Sequence, residues 1–406
     1  MGQIAAMLNT ALQTAQSALH AGRLPEAGRL FQDALRSNPR DFDALYGLGL
    51  VCLYAQQFEQ AQQLFGETVR LDPLFADGFC VRGVALIRLG RHEEALGCFE
   101  RALMIRPNSV DALANHATTL LEMGQAERAL PELERAITID PRHFVSWHSR
   151  GNTLIALNRP LEALECYARA LEIDPSNQLA MENRDNALFQ LGRLKRCPTG
   201  FMRTLFDQFS SHYDDTMLEK LQYRAHVHLR ELADRVLPKR DGPLRVLDLG
   251  CGTGLAGVAF CDLANGGPMD GIDLAPKMLE AAKARGIYRN LILGDLENEL
   301  FAPGPQYDVI LAADTMIYLG DLSRTFAGVS RRLDPKGHYL FAVESLDGED
   351  WEQTPQNRFR HSPGYLRSEA DLAGLEVLAI DPCVLRNEHN VAVGGFAVAL
   401  RKPQMN

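Results

Sequence analysis

Several features that would assign this sequence quickly are missing from it. The eight cysteines, Cys52, Cys80, Cys98, Cys166, Cys197, Cys251, Cys261 and Cys383, include no C-x-x-C pair. That argues against a zinc or other metal site, a dithiol redox motif or a disulfide framework, and favours a reduced, cytoplasmic setting. No apolar stretch is long enough to span a bilayer, so no membrane partner is expected. The first basic residue is Arg23, and Asn9, Thr10, Gln13 and Gln16 interrupt the apolar residues before it, which argues against a signal peptide. Gly2 follows Met1, yet Ala6 stands where a myristoylation signal carries Ser or Thr. Positive charge is not in excess either. Up to Lys195 there are 19 Lys+Arg against 23 Asp+Glu, and beyond it 23 against 29; the nets of −4 and −6 make up the total of −10. Neither half announces nucleic acid or an anionic membrane as partner.

What is present is a chain of 406 residues, 46% hydrophobic and 23% charged, too long for one ordinary core and suited to two. The first half repeats. Pro39, Pro73, Pro107, Pro141 and Pro175 are each 34 residues apart. Ala27, Ala61, Ala95, Ala129 and Ala163 keep the same period, as do Phe31, Phe65, Phe99, Leu133 and Tyr167. Gly22, Gly90, Gly124 and Gly192 are helix stops in register, with Gln56 and Asn158 filling the two gaps. Small residues let two helices approach, an aromatic fills the space between them, and proline is expected to open the next helix. Apolar positions such as Ala44, Leu45, Leu48 and Val51 recur at helical spacing.

This pattern resembles tetratricopeptide repeats, five of them over about residues 8–177, with Gln178 to Arg193 resembling a capping helix. The resemblance implies an all-α superhelix over residues 1–195, with a concave groove built mainly from the first helix of each repeat. The groove positions are Tyr46, Leu50, Cys80, Val84, Asn115, Thr118, His148 and Asn152. The lysine and asparagine set that grips a carboxyl terminus in chaperone-binding relatives is not repeated here. A protein or peptide partner held by mixed polar and apolar contacts is expected; self-association, or packing against the second domain, is the alternative. The oligomeric state stays open.

Residues Gly192 to Gly200 break the repeat and read as a linker. Helical patterning resumes at Phe201–Phe209 and Met217–Leu237, ending at Pro238 and an Asp241-Gly242-Pro243 turn. The period then changes. Leu244–Leu249, Pro268–Asp273, Leu291–Leu293, Tyr307–Ala312 and Gly337–Val343 are short apolar strand candidates, separated by helical segments such as Ala275–Arg285 and Leu322–Leu333. Alternation of this kind implies a parallel, doubly wound α/β sheet. Glu376–Ile380 and Val391–Leu400 flank a polar turn at Arg386–Asn390 and suggest an antiparallel hairpin at one sheet edge.

Within this half, Val246-Leu-Asp-Leu-Gly-Cys-Gly-Thr-Gly254 runs from a strand through a glycine-rich turn into a helix beginning near Leu255. Glycine there permits a ligand to approach the backbone, at the strand end where doubly wound sheets bind ligands. A dinucleotide enzyme would place its third glycine or alanine at position 255, which is Leu255. Asp248, at the strand end, is a carboxylate of no use to a pyrophosphate but useful near a cation. Asp273 ends the next strand, where a carboxylate accepts both ribose hydroxyls. Asp295 ends the third, placed to accept from an adenine amino group, and Asp314 ends the fourth on the side facing an acceptor. Each alone reads as readily as a helix N-cap; the set does not.

The half from 201 to 406 resembles class I S-adenosylmethionine-dependent methyltransferases, and more closely the bacterial predicted methyltransferases with N-terminal tetratricopeptide repeats. The segments that carry the resemblance are Leu205–Asp214, Lys220–Arg224, the glycine loop, Ala312–Asp321 and Phe359–Leu366. It implies a Rossmann-like, seven-stranded sheet with the last strand antiparallel, and S-adenosyl-L-methionine as cofactor. On this reading the cofactor is held by Tyr213, Tyr223, Asp248, Gly250, Cys251, Gly252, Thr253, Gly254, Asp273, Leu274, Met278, Gly294, Asp295, Leu296 and Ala313. Asp314 and His361 are candidate bases, and Tyr318, Glu344 and Tyr365 candidate acceptor contacts. Methyl transfer from a sulfonium is a direct displacement, so a base is needed only where the acceptor must lose a proton. Three readings follow: a methyltransferase acting on a protein or peptide recruited by the repeats, a small-molecule methyltransferase whose repeats serve assembly, and an inactive scaffold of methyltransferase fold.

Overall fold

A computed structural model describes residues 2–238, 242–264 and 269–404, without the side chains of residues 2–10. Asp241 of the expected turn and Pro268 of the expected second strand lie outside the described residues. The chain divides into two compact units, Met1–Ala187 and Leu188–Asn406. The division falls a few residues ahead of the segment read as a linker, so residues 192–200 belong with the second unit.

The first unit is built from helical hairpins: Gly2–His20 with Leu24–Ser37, Phe42–Tyr54 with Phe58–Leu71, Ala76–Arg88 with His92–Ile105, Val110–Glu122 with Ala126–Ile139, and Phe144–Ala156 with Pro160–Ile173. Gln178–Gln190 follows. The periodic alanines are fully buried, and so are Phe31, Phe65, Phe99, Leu133 and Tyr167. Three of the rings lie against a glycine of the preceding helix: a Cβ on Gly49 would sit 2.5 Å from Phe65, one on Gly83 2.6 Å from Phe99, and one on Gly151 2.5 Å from Tyr167. In the fourth hairpin both partners change, to Leu133 and Ala117, which share one buried cluster.

Helix stops fall where the register puts them. Gly22, Gly90, Gly124 and Gly192 have φ between 65° and 74°, and Gln56 and Asn158 adopt the same left-handed turn at 59° and 57°. The prolines differ from expectation. Pro39 lies in the turn between Ser37 and Phe42 rather than opening a helix, as do its equivalents. Two of the helix starts that follow are served instead by side chains, Asp41 on the Ala44 amide and Ser109 on that of Ala112, while Phe75 and His143 at the equivalent positions make no such cap.

The second unit holds one sheet of nine strands among the described residues: β1 Val246–Leu249, β2 Met269–Asp273, β3 Asn290–Leu293, β4 Tyr307–Ala312, β5 Leu333–Ser345, β6 Trp351–Gln353, β7 Phe359–His361, β8 Glu376–Glu388 and β9 Val391–Arg401. β3-β2-β1-β4-β5 are parallel neighbours; β9 lies antiparallel to β5, and β8 antiparallel to β9. These are the seven strands the resemblance implies. β6 and β7 form an additional ribbon on the end of β5, through Glu344↔Arg360 and Ser345↔His361. The region Ser345–Leu366 therefore carries two strands and the start of the helix Pro363–Leu372.

Period-two alternation sorts the strand residues onto two faces. Leu247, Leu249, Ile310, Ala312, Tyr339 and Phe341 pack with Phe326 and Val329. Val246, Val309, Leu311 and Leu340 pack with Leu229, Leu232 and Phe260 on the other side. The expected helix Met217–Leu237 is not continuous: a π-helical turn spans Thr216–Lys220, and the α-helix begins at Ala225. The hairpin turn is His389-Asn390, both with positive φ, so Arg386 belongs to β8 and is buried.

Candidate cofactor and acceptor site

Strand order reverses at β1, between β2 and β4, and a ligand crevice is expected at the carboxyl ends of the strands there. The glycine turn occupies that point. Gly250 has φ 65°, and a Cβ on it would meet Thr315 Oγ1 at 2.2 Å; that hydroxyl donates to the Leu249 carbonyl at 2.9 Å. Gly252 has φ 55°, and a Cβ there would meet nothing within 4 Å. Its amide donates to Asp273 Oδ2 at 2.9 Å, while Ala275 donates to Oδ1 at 2.8 Å. Burial raises the Asp273 carboxyl, and these backbone donors work against the rise.

A cavity opens above this turn, with about 720 Å³ of atom-free space counting the part open to solvent. Of the residues singled out in the sequence, Tyr213, Gly250, Gly252, Asp273, Leu274, Met278, Gly294, Leu296, Asp314 and Tyr318 line it. The remainder stand behind the lining. Cys251 is buried, its amide bonded to the Ile272 carbonyl. The Thr253 hydroxyl donates to Asp214, which also pairs with Arg285, and so ties the segment carrying Tyr213 to the loop. Gly254 donates to the Cys251 carbonyl. Ala313 is buried beside the sheet, and the Tyr223 ring stacks on His226.

Asp248 lies beneath the loop. The Tyr288 hydroxyl donates to its Oδ2 at 2.7 Å, and Oδ1 meets no donor of good geometry. Burial lifts its carboxyl to about 7, against the opposing pull of Tyr288. Asp295 also stands outside the lining. Its Oδ1 caps the helix Leu296–Phe301 through the amides of Glu297 and Asn298, and its Oδ2 takes Arg196 Nη2 at 2.5 Å.

Asp314 belongs to a buried ionic cluster. Arg386, 1% exposed, reaches Asp314 at 3.4 Å, Glu388 at 2.7 Å, and Glu344. Arg358 pairs with Glu388 and lies 3.6 Å from Glu344; Arg360 lies 3.7 Å from Glu344. Burial raises the Asp314 carboxyl to about 6, and Arg386 and Arg358 limit the rise. Glu344 is thus a partner of arginines, away from the cavity.

His361 is likewise remote. It is fully buried, its Nε2 donates to the Gly320 carbonyl at 3.0 Å, and its ring stacks on Tyr365. Desolvation lowers it to about 4, so it is neutral at ordinary pH. The Tyr365 hydroxyl accepts from the Leu322 amide at 2.8 Å. Neither borders the space above the glycine loop.

The sequence reading did not single out Arg196, Cys197, Met202, Phe206, Ile272, Thr315 or Leu319 as lining residues. The first four come from the segment read as a linker and from the helix after it. The Arg196 side chain finds its partners about a hundred residues onward, which no local pattern discloses.

Residues 246–337 match the family model for a methyltransferase domain, and residues 18–77, 76–109, 110–143 and 144–177 match tetratricopeptide repeat models. The chain joins tetratricopeptide repeats to a methyltransferase domain. The latter is 30% identical over 156 residues to malonyl-[acyl-carrier protein] O-methyltransferase of Halorhodospira halophila, covering 37% of this chain and 48% of that protein. It is 28% identical over 179 residues to aklanonic acid methyltransferase DauC of a Streptomyces species, covering 41% and 78%. The chain thus spans about half the length of the first of these relatives. Among solved structures, a tetratricopeptide protein of Thermus thermophilus aligns over 45% of this chain and 98% of its own, at 23% identity and a TM-score of 0.39.

Proposed function

We propose that the protein is an S-adenosylmethionine-dependent methyltransferase whose acceptor is carried by a protein or peptide held by the repeats. The observation that carries the cofactor reading is the pairing of Asp273 with the bare backbone of Gly252 on one cavity rim. A carboxylate there suits two vicinal ribose hydroxyls, and a Cβ at Gly252 would project into open cradle space. Leu274, Met278 and Leu296 give the purine apolar walls. Asp248 and Asp314 add acidic groups below and beside the site, which favour a cationic sulfonium.

The cofactor supplies an activated methyl group on sulfur. The chain's own residues align the reactants and exclude water, with Tyr213, Phe206 and Met202 as cover. Asp314, on the cavity wall and raised to about 6, is the group positioned to take a proton from an acceptor that must lose one. His361, buried on the Gly320 carbonyl and the Tyr365 ring, has no such access and does not serve as a base.

A protein-borne acceptor is supported by the repeats and by a relative whose substrate, in its name, is attached to a carrier protein. The relative named for aklanonic acid supports the alternative, a small-molecule acceptor with repeats serving assembly.

Titration with S-adenosylhomocysteine tests the cofactor reading. Asp273→Ala is expected to weaken binding at least about tenfold, the worth of one good charged hydrogen bond; unchanged affinity sinks the assignment. Radiolabelled S-adenosylmethionine in lysate tests the acceptor. Label should enter macromolecules with the full chain and fail to do so with a chain starting at Leu188 that still binds S-adenosylhomocysteine. Label confined to small molecules would favour the alternative.

A further inference from the structure

We propose that Arg196 holds the purine of the bound adenosyl group by stacking its guanidinium plane against the ring, with Asp295 and Glu297 as its anchors. This rests on the methyltransferase reading above and adds a residue from outside the sheet.

The ends of β1, β2 and β3 lie side by side, so a ligand whose ribose meets Asp273 at the end of β2 extends its base toward β3. There the cavity is lined by Gly294 and Leu296, which flank Asp295, and by Arg196. Asp295 itself is turned away. Its Oδ1 serves the helix behind it and its Oδ2 serves Arg196, so the carboxylate expected to read the adenine amino group acts as an anchor instead.

Arg196 is fixed at two levels. Its backbone bridges Leu319: the Lys195 carbonyl accepts from Gly320 at 2.8 Å and from Asp321 at 3.1 Å, and the Cys197 amide donates to the Tyr318 carbonyl at 2.9 Å. Its side chain donates through Nη1 to Glu297 at 2.6 Å and through Nη2 to Asp295. Glu297 is buried and held from behind by the Thr325 hydroxyl at 2.9 Å. With each terminal nitrogen donating to a carboxylate, the plane of the group is fixed in orientation, and its flat face is offered to a ligand together with the donors still unspent. A flat cation sharing a cavity wall with Leu274, Met278 and Leu296 suits a purine, since every base has a π-face to offer.

A simple ion-pair brace is the rival account, and lysine separates the two. It can pair with Asp295 and Glu297 but has no plane. Full-length wild type, Arg196→Met and Arg196→Lys would be titrated with S-adenosylhomocysteine and with 5′-methylthioadenosine, which keeps the purine and lacks the amino-acid end. Thermal melts of each variant would show that it is folded. Both variants are expected to weaken both ligands about tenfold and by the same factor. Wild-type affinity in Arg196→Lys overturns the proposal, as does a loss for S-adenosylhomocysteine without one for methylthioadenosine. Failure of the wild type to bind either ligand is a separate result, and it overturns the methyltransferase reading itself.

Discussion

Asp248, Asp314 and His361 are three buried ionisable groups with different consequences. The two carboxyls are raised from an ordinary 3.8, to about 7 and about 6, because burial disfavours their charge. A raised group contributes fully to stability below its unfolded value and loses that contribution as pH climbs through its folded value. Both carboxyls therefore weaken the fold between about pH 4 and pH 7. His361, lowered to about 4, does the reverse: its contribution stands above about pH 6.5 and is lost as pH falls toward 4. Asp248→Asn keeps an acceptor for Tyr288 and removes the charge. It is expected to stabilise the protein by at least about 1–2 kcal/mol more at pH 8 than at pH 5. Thermal denaturation across that range measures the difference, and an equal gain at both ends would contradict it.

At the scale of elements, the left-handed helix stops separate what the sequence disclosed from what it hid. The 34-residue register placed all six, including Gln56 and Asn158, because a helix terminus is a local event. Gln56 bears a cost there that glycine lacks. Gln56→Gly is expected to stabilise the repeats by about 1 kcal/mol, read from a urea midpoint. The glycine loop gives the opposite expectation. Gly252→Ala, strained at φ 55° with its methyl in the cavity, should weaken S-adenosylhomocysteine binding by about tenfold or more, measured calorimetrically, while costing only about 1 kcal/mol of stability. The parallel strands were legible for the same local reason, as short apolar runs bounded by turns. Other elements were not. Apolar spacing continues unbroken from Met217 to Leu237, yet a π-turn and a break precede Ala225. Arg386 stands in a polar run that mimics a turn. It is buried because Asp314, Glu344 and Glu388 surround it, and two of those lie 72 and 42 residues away.

For the molecule as a whole, ligand binding is expected to report on the unit Leu188–Asn406. S-adenosylhomocysteine at a hundred times its dissociation constant should add about 2.7 kcal/mol to the unfolding free energy of the unit that binds it. Differential scanning calorimetry would register the shift, and an unmoved transition would contradict the proposed site. The helical unit follows a simpler rule, written in the contacts between Phe99 and Gly83, Tyr167 and Gly151, and Leu133 and Ala117. The heritable unit along the array is accordingly a couple rather than a residue. Leu133→Phe alone would overfill its site and Gly83→Ala alone would crowd its ring, so a hairpin moved whole carries its fit with it, while an exchange that breaks between its two helices parts the couple.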